Sequence, residues 1–266
     1  MMIDLKKIIE DVEIITAETA EFIAREAAGF DISRTEIKGI NDFVSYVDKG
    51  SEKILVERLS AILPEAGFKT EEGTSSIRGE KYCWVIDPLD GTTNFLHGLK
   101  LYAISIGLLE DNEPVAGVIH VVGGNEVYTA WKGGGAWLNG KSIHVSEAKR
   151  LSDSLIATGL PYSDFGRLDD YMKLLSWLCM NTQGIRRMGS AAIDIAYVAC
   201  GRFEVFYEYG LHPWDIAAGV IILREAGGCI SDFSGGERNL NGDEIVAANK
   251  GVYPEILEIV SKFMNK

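Results

Sequence analysis

Cysteine is scarce in this sequence: four in 266 residues, at Cys83, Cys179, Cys200 and Cys229. They lie far apart, with no CxxC or zinc-ligand spacing. That argues against a zinc ribbon, a thioredoxin-like redox pair or a disulfide-stapled secreted fold. All four fall in apolar segments and are read as buried free thiols in a reducing compartment. Proline is sparse too, at six residues, and no Pro/Ser-rich linker, repeat or low-complexity tract interrupts the chain. No apolar run approaches the roughly 18 residues that span a bilayer. Met1 to Glu10 has no signal-peptide apolar core. The expectation is a cytoplasmic protein without a membrane partner. Positive charge is also short: 26 Lys plus Arg against 39 Asp plus Glu, a formal net charge of −13. This balance argues against a general nucleic-acid or anionic-membrane surface. It leaves room for a small anionic substrate, because a bound cation reverses the local sign.

What is present is a globular composition, 47% apolar and 24% charged, able to bury a substantial core. Leu5, Ile8, Ile9, Val12, Ile15, Phe22 and Ile23 repeat at helical spacing up to Gly29. A second helix is expected from about Asp48, with Ile54, Leu55, Leu59, Ile62 and Leu63 as its buried stripe and Pro64 as its stop, antiparallel to the first. The period then shortens. Segments 82–86, 101–108, 114–121 and 126–131 read as strands of an antiparallel meander, with turns at 111–113 and 123–125. From Ser154 the two periods alternate. Strands are expected at 155–157, 203–207, 229–232 and 244–247, and helices at 171–178, 189–199, 215–226 and 254–263. The expected class is α/β (α+β mixed), two sheet layers with helices between and around them. One domain over 1–266 is expected, with subdomains 1–150 and 151–266 meeting near 149–154.

The stretch Trp84-Val85-Ile86-Asp87-Pro88-Leu89-Asp90-Gly91-Thr92-Thr93-Asn94-Phe95 carries the chemistry. A buried strand delivers Asp87 at its end. Pro88 suits position i+1 of a β-turn, whose ends lie within about 7 Å, so Asp87 and Asp90 point into one space. Two carboxylates so close repel unless a proton or cation lies between them. Oxygen donors suit Mg²⁺, Mn²⁺ or Ca²⁺. Gly91-Thr92-Thr93 then offers approachable N–H groups and hydroxyls and, if it opens a short helix, an anion site. Each acid alone also fits an ordinary turn. The whole string points to phosphate-ester chemistry.

Asp87 to Phe95 resembles the Asp-Pro-x-Asp-Gly-Thr-x-Asn-Phe signature of the inositol monophosphatase family. Trp214-Asp215-Ile216-Ala217-Ala218-Gly219, ending in Glu225-Ala226-Gly227-Gly228, resembles its second signature. The resemblance covers nearly the whole chain. It implies a layered α-β-α-β-α sandwich of the sugar-phosphatase type and an Mg²⁺-dependent, lithium-sensitive phosphomonoesterase, commonly a homodimer, with two or three Mg²⁺ ions per site. The implied metal ligands are Glu71, Asp87, the Leu89 carbonyl, Asp90 and Asp215. Glu71 and Thr92 are implied to orient the attacking water, with Asp48 holding Thr92. Gly91, Thr92, Thr93, Gly189, Ser190, Ala191 and Glu208 are implied to bind a small phosphorylated polyol.

Several of these positions also have ordinary readings. Glu71 and Glu72 fit a solvated loop, Asp48 a helix N-cap, Asp215 a helix-dipole partner, and Ser190 a cap. Ser45 stands where the family often has Thr. His212 is read as structural, Lys38 as a solvated lysine, and Asp243 as a solvated turn acid. Glu208 and the single-domain length favour inositol 1-phosphate over fructose 1,6-bisphosphate or adenosine 3′,5′-bisphosphate. An aspartyl-phosphate phosphatase of the haloacid dehalogenase type needs one residue between its two acids; here Pro88 and Leu89 are two. A non-enzymatic, regulatory protein-binding role is the remaining alternative.

Overall fold

The computed structural model describes residues 3–30, 36–39, 42–75, 77–162, 164–236 and 243–265. Helix α1 (Leu5–Ala28) opens where the Asp4 carboxylate accepts from the Lys7 N–H at 3.1 Å, and it closes at Gly29. A short antiparallel ribbon, β1 (Glu36–Gly39) and β2 (Asp42–Val44), leads to α2 (Tyr46–Ile62). The helix starts two residues before the expected Asp48, because Ser45 is the N-cap and Asp48 closes a capping box from the third helical position. Tyr46 donates to Glu26 at 2.7 Å, and Arg58 pairs with Glu18 at 2.8 Å. Residue order thus runs opposite ways in α1 and α2, the antiparallel pair that the sequence pattern implies.

The first sheet holds β3 (Gly67–Thr70), β4 (Tyr82–Asp90), β5 (Ala103–Glu110), β6 (Glu113–Val121), β7 (Glu126–Trp131), β8 (Gly135–Leu138) and β9 (Lys141–Ile143), side by side in chain order. Strands β4 to β9 form the antiparallel meander, and β3 adds a parallel edge. Helix α3 (Thr92–Leu96) sits between β4 and β5. The second half contains β10 (Leu155–Thr158), α4 (Leu168–Asn181), β11 (Gly184–Arg186), α5 (Ala191–Ala199), β12 (Val205–Leu211), α6 (Pro213–Glu225), β13 (Cys229–Ser231), β14 (Asp243–Ala248) and α7 (Tyr253–Met264). Its sheet runs β11-β10-β12-β14-β13, parallel on one side and antiparallel on the other.

Three apolar cores lie between five layers. The α1/α2 layer packs Val12, Leu55 and Leu59 on Trp84, Ile86 and Val118 of the first sheet. The other face of that sheet meets α5 and α6, which also cover Phe206 and Ile245 of the second sheet. Helices α4 and α7 close the far side over Tyr207 and Val246. The layered sandwich is therefore observed. Among the described residues no helix is long and apolar enough to cross a membrane. The cysteine expectation is corrected, because none of the four thiols is fully buried. Cys83, Cys200 and Cys229 are half-buried, whereas Cys179 is exposed, because the buried stripe of α4 is Tyr171, Leu174 and Leu178.

A glycine pair sets the height of the central helix layer. Gly107 of β5 and Gly117 of β6 face each other across the ladder. A Cβ at Gly107 would lie 2.8 Å from the Ala217 Cβ, and one at Gly117 would lie 2.8 Å from the Ala218 carbonyl oxygen. Helix α6 thus rests directly on the strand backbones, and its Ala217-Ala218-Gly219 run is what permits this approach. The same seating carries the start of α6, with Asp215, to the end of β4. Gly117→Ala is expected to cost about 1–3 kcal/mol through overpacking against backbone that has no free room. Thermal unfolding should register this at roughly 2–4 °C per kcal/mol. An unchanged melting temperature would contradict the close approach.

Candidate active site

Strand β4 does not end in the expected β-turn at Asp87–Asp90. It continues, with Asp87 opposite Ser105 and Asp90 opposite Ala103. Three steps on β4 oppose two on β5, so one extra residue forms a bulge. Bulges of this kind re-aim side chains, and here both acids reach one space without a chain reversal. The Asp87 carboxylate accepts from the Leu89 N–H at 2.9 Å. Asp215 arrives from α6, where it accepts from the His212 N–H at 2.6 Å. One oxygen from each of Asp87, Asp90 and Asp215 lies within 4.8 Å of the others.

This cluster is electrostatically unfavourable by itself. Asp87 is held well above the usual carboxylate range by burial first, then by Glu71, Asp90 and Asp215. Asp215 is raised in the same way by burial and by Asp90. Burial pushes Asp90 to about 6, although Ser190, Ala192, Ala191 and Arg187 pull it down. Among the described residues none of the three acids forms an ion pair with a Lys or Arg. Three oxygen donors, buried or half-buried, with surplus negative charge and no ion pair to neutralise it, fit a hard divalent cation.

The flanking residues are organised around the cluster. Glu71 follows β3, and its N–H bonds to the Ile86 carbonyl at 3.2 Å. Its loop is held from below by the buried Glu52, which accepts from the Glu72 N–H at 2.7 Å and from the N–H and hydroxyl of Thr74 at 2.8 and 2.7 Å. Thr92 places its hydroxyl 3.1 Å from both the Asp48 carboxylate and the Leu89 carbonyl. The other oxygen of Asp48 accepts from the Ser45 N–H and hydroxyl at 2.8 and 2.6 Å. Asp48 is therefore the third helical residue of a capping box rather than the N-cap, and it also touches Thr92. Gly91 sits at φ +93° as the residue that opens α3, so Gly91-Thr92-Thr93 does start a short helix.

The second half closes over this frame. The Asp90 oxygen accepts from the Ser190 hydroxyl at 2.6 Å and from the Ala192 N–H at 2.7 Å. Ser190 is the N-cap of α5, as its ordinary reading has it, and its hydroxyl also bonds Asp90. Asn94 donates to the Leu101 and Met188 carbonyls at 2.7 and 2.8 Å, tying α3 to the segment before Gly189. Glu208, on β12, is 6% exposed, and burial and Asp90 raise it to about 8 against the pull of Arg187. His212 stacks on Trp214 with ring centroids 4.8 Å apart, consistent with a structural role. Lys38 lies on β1, and its side chain falls outside the described residues, as do positions 241 and 242 beside Asp243.

Three residues near the site escaped the sequence reading. The Arg187 guanidinium lies over the Tyr162 ring, 5.5 Å from its centroid, and donates to the Tyr162 hydroxyl. Asp194, on α5, is almost fully buried with one carboxylate oxygen unpartnered, and burial, Glu208 and Asp90 hold it well above the usual range. The only signal available in the sequence was the position of Arg187 and Asp194 on either side of Gly189-Ser190-Ala191.

Residues 4–264 match the model of the inositol monophosphatase family. A relative from Mesorhizobium japonicum named inositol-1-monophosphatase is 42% identical over 231 residues, 86% of each chain. A relative from Pseudomonas aeruginosa named Nus factor SuhB is 39% identical over 245 residues, 90% of each chain. The crystal structure of the extragenic suppressor protein SuhB from Bartonella henselae superposes with a TM-score of 0.91 at 36% identity, covering 96% of this chain and 99% of that one. Coverage is 86% or more of both chains in each case, and both signature segments contribute to the acid cluster. The chain is a phosphatase that belongs to the inositol monophosphatase family.

Proposed function

We propose that this chain hydrolyses a phosphate monoester with Mg²⁺, and that inositol 1-phosphate is its favoured substrate. The observation that carries the reading is the convergence of Asp87, Asp90 and Asp215 within 4.8 Å. Those acids, with Glu71 and the Leu89 carbonyl, would hold two or three Mg²⁺ ions. Bound there, the ions supply charge neutralisation on the phosphate and leaving oxygen and a lowered pKa for water. Glu71 and Thr92 orient the attacking water, and Asp48 fixes the Thr92 hydroxyl through its 3.1 Å contact. The N–H groups of Gly91, Thr92 and Thr93 face the phosphate. Ser190, Ala191 and Glu208, with the close backbone approach at Gly189, receive the polyol. No covalent nucleophile is required, since phosphoryl transfer depends mainly on positioning and charge neutralisation.

The chain is read as one domain over 1–266, with 1–150 bringing most of the metal and phosphate groups and 151–266 the polyol side and Asp215. It acts as a homodimer in the cytoplasm, without a nucleic-acid or membrane partner. The relatives named Nus factor SuhB support a second, protein-binding role. An Asp87→Asn chain that still complements loss of the Pseudomonas relative would establish that role independently of hydrolysis.

Phosphate release from inositol 1-phosphate, fructose 1,6-bisphosphate and adenosine 3′,5′-bisphosphate, each with Mg²⁺, tests the substrate reading. Inositol 1-phosphate is expected to give the highest kcat/KM. Li⁺ in the millimolar range should inhibit in a manner that depends on Mg²⁺ concentration. Ca²⁺ should inhibit because its larger, looser shell disfavours compact octahedral positioning. Full activity in excess chelator would overturn the metal-dependent reading.

A further inference from the structure

We propose that Gly159 is a specificity-determining residue of this site: its missing Cβ leaves the space in which the Glu208 carboxylate lies, and so fixes the acid that reads the substrate's hydroxyls. The inference rests on the functional reading above and extends it to a residue outside both signatures.

Gly159 follows the last residue of β10. Strands β10 and β12 run parallel, with Ala157 beside Phe206 and Thr158 beside Tyr207. One further step brings Gly159 beside Glu208, where paired side chains leave the sheet on the same face. A Cβ at position 159 would lie 1.8 Å from Glu208 Oε1, 1.9 Å from its Cδ and 2.1 Å from Oε2. The carboxylate thus lies against the glycine itself, presenting both oxygens to the same face.

The glycine cannot easily step aside. The Tyr171 hydroxyl donates to the Gly159 carbonyl at 3.0 Å, and the Thr158 hydroxyl donates to the Tyr207 carbonyl at 2.9 Å. These bonds lock the end of β10 to β12 and α4. The backbone is therefore the fixed wall and the carboxylate the movable part. Gly159 is also absent from the left-handed glycines, and the three nearest atoms to its virtual Cβ all belong to Glu208. An alanine there meets the end of a flexible side chain first. The collision displaces the carboxylate by more than a hydrogen bond tolerates.

Displacement matters because Glu208 sits among charges of both signs. Arg187 attracts it and Asp90 repels it. An acid pushed off its seat no longer meets the polyol hydroxyls at hydrogen-bond distance, and its bonds to substrate are lost. The phosphate end of the substrate, held from β4 and α3, is untouched by the change. Selectivity should therefore suffer more than the hydrolytic step.

The test compares kcat and KM for inositol 1-phosphate and for p-nitrophenyl phosphate, which has no polyol, at saturating Mg²⁺. Gly159→Ala is expected to raise KM for inositol 1-phosphate about tenfold, with kcat much less affected. The ratio of kcat/KM for the polyol ester to that for the aryl ester should fall by a similar factor, while the melting temperature stays within a few degrees of the parent's. In a Glu208→Ala background the methyl finds vacated space, and Gly159→Ala should change the ratio no further. An equal loss on both substrates, or the full effect persisting in the Glu208→Ala background, overturns the assignment. A parent that releases no phosphate from inositol 1-phosphate overturns the functional reading and this one with it. Parent activity with an unchanged ratio in Gly159→Ala overturns this one alone.

Discussion

Asp90→Asn is expected to lower phosphate release by a factor of about 10² to 10³, the equivalent of roughly 3–4 kcal/mol of lost transition-state stabilisation. The geometry makes the direction of the loss clear. One oxygen of Asp90 already accepts from the Ser190 hydroxyl and the Ala192 N–H. An asparagine has one accepting oxygen, and those two donors claim it. Its NH₂ group must then face Asp87 and Asp215, in the position where a cation would need an oxygen. Folding should survive. Relief of repulsion among three clustered acids favours the metal-free variant, while two charge-assisted bonds to the start of α5 become neutral ones. These effects oppose each other, and the metal-free melting temperature should stay within about 3 °C of the parent's. Asp243→Asn is the matched control. Asp243 is exposed at the start of β14 with φ +94°, a conformation that asparagine tolerates well. Its activity should remain within a few-fold of the parent's. Similar activities in the two folded variants at saturating Mg²⁺ would show that the metal site is misplaced.

The parts of this site that the sequence exposes are those whose chemistry is contiguous. Asp87 to Thr93 deliver two acids, a helix start and two hydroxyls within seven residues, so local spacing alone suggests a cation and an anion cradle. Asp215 is legible because Trp214 and the small-residue helix accompany it. Even there the local mechanism differs: the strand bulges where Asp-Pro suggests a turn, since continued pairing with β5 prevails over the intrinsic preference of Pro88 for a turn. Groups joined only by the fold are silent. Glu52 holds the Glu71 loop from 20 residues away, Asp90 bonds Ser190 across 100 residues, and Gly159 clears space for Glu208. No periodicity marks any of these. Strands β3, β8, β9 and β11, of three or four residues each, are too short for alternation to register. The long buried β4 and the amphipathic α1 carry enough repeats to be read nearly to their ends.

Removing Mg²⁺ should abolish activity and also change how stability responds to pH. In the metal-free protein Asp87, Asp90 and Asp215 all titrate above their ordinary values, Asp90 at about 6, and Glu208 at about 8. Between pH 4 and those values the folded chain binds more protons than the unfolded chain. Stability must then fall as pH rises. The contribution is fully present below about pH 4, the ordinary carboxylate value, and is lost as pH climbs through 6 and 8. The metal-free melting temperature is expected to drop by roughly 5 °C or more from pH 5 to pH 8. Mg²⁺ competes with those protons, so its stabilising increment should be small at pH 5 and large at pH 8. The general self-repulsion of a chain with net charge −13 also grows with pH, and Asp90→Asn separates the two effects. It leaves the overall charge nearly intact but removes one coupled acid, so its metal-free pH slope should be shallower than the parent's and its Mg²⁺ increment smaller at every pH. Scanning calorimetry from pH 5 to 8, with chelator and with saturating Mg²⁺, measures all four curves. A metal-free protein that gains stability over this range, or a Mg²⁺ increment that does not depend on pH, would contradict a cluster of buried carboxylates that exchange protons for a cation.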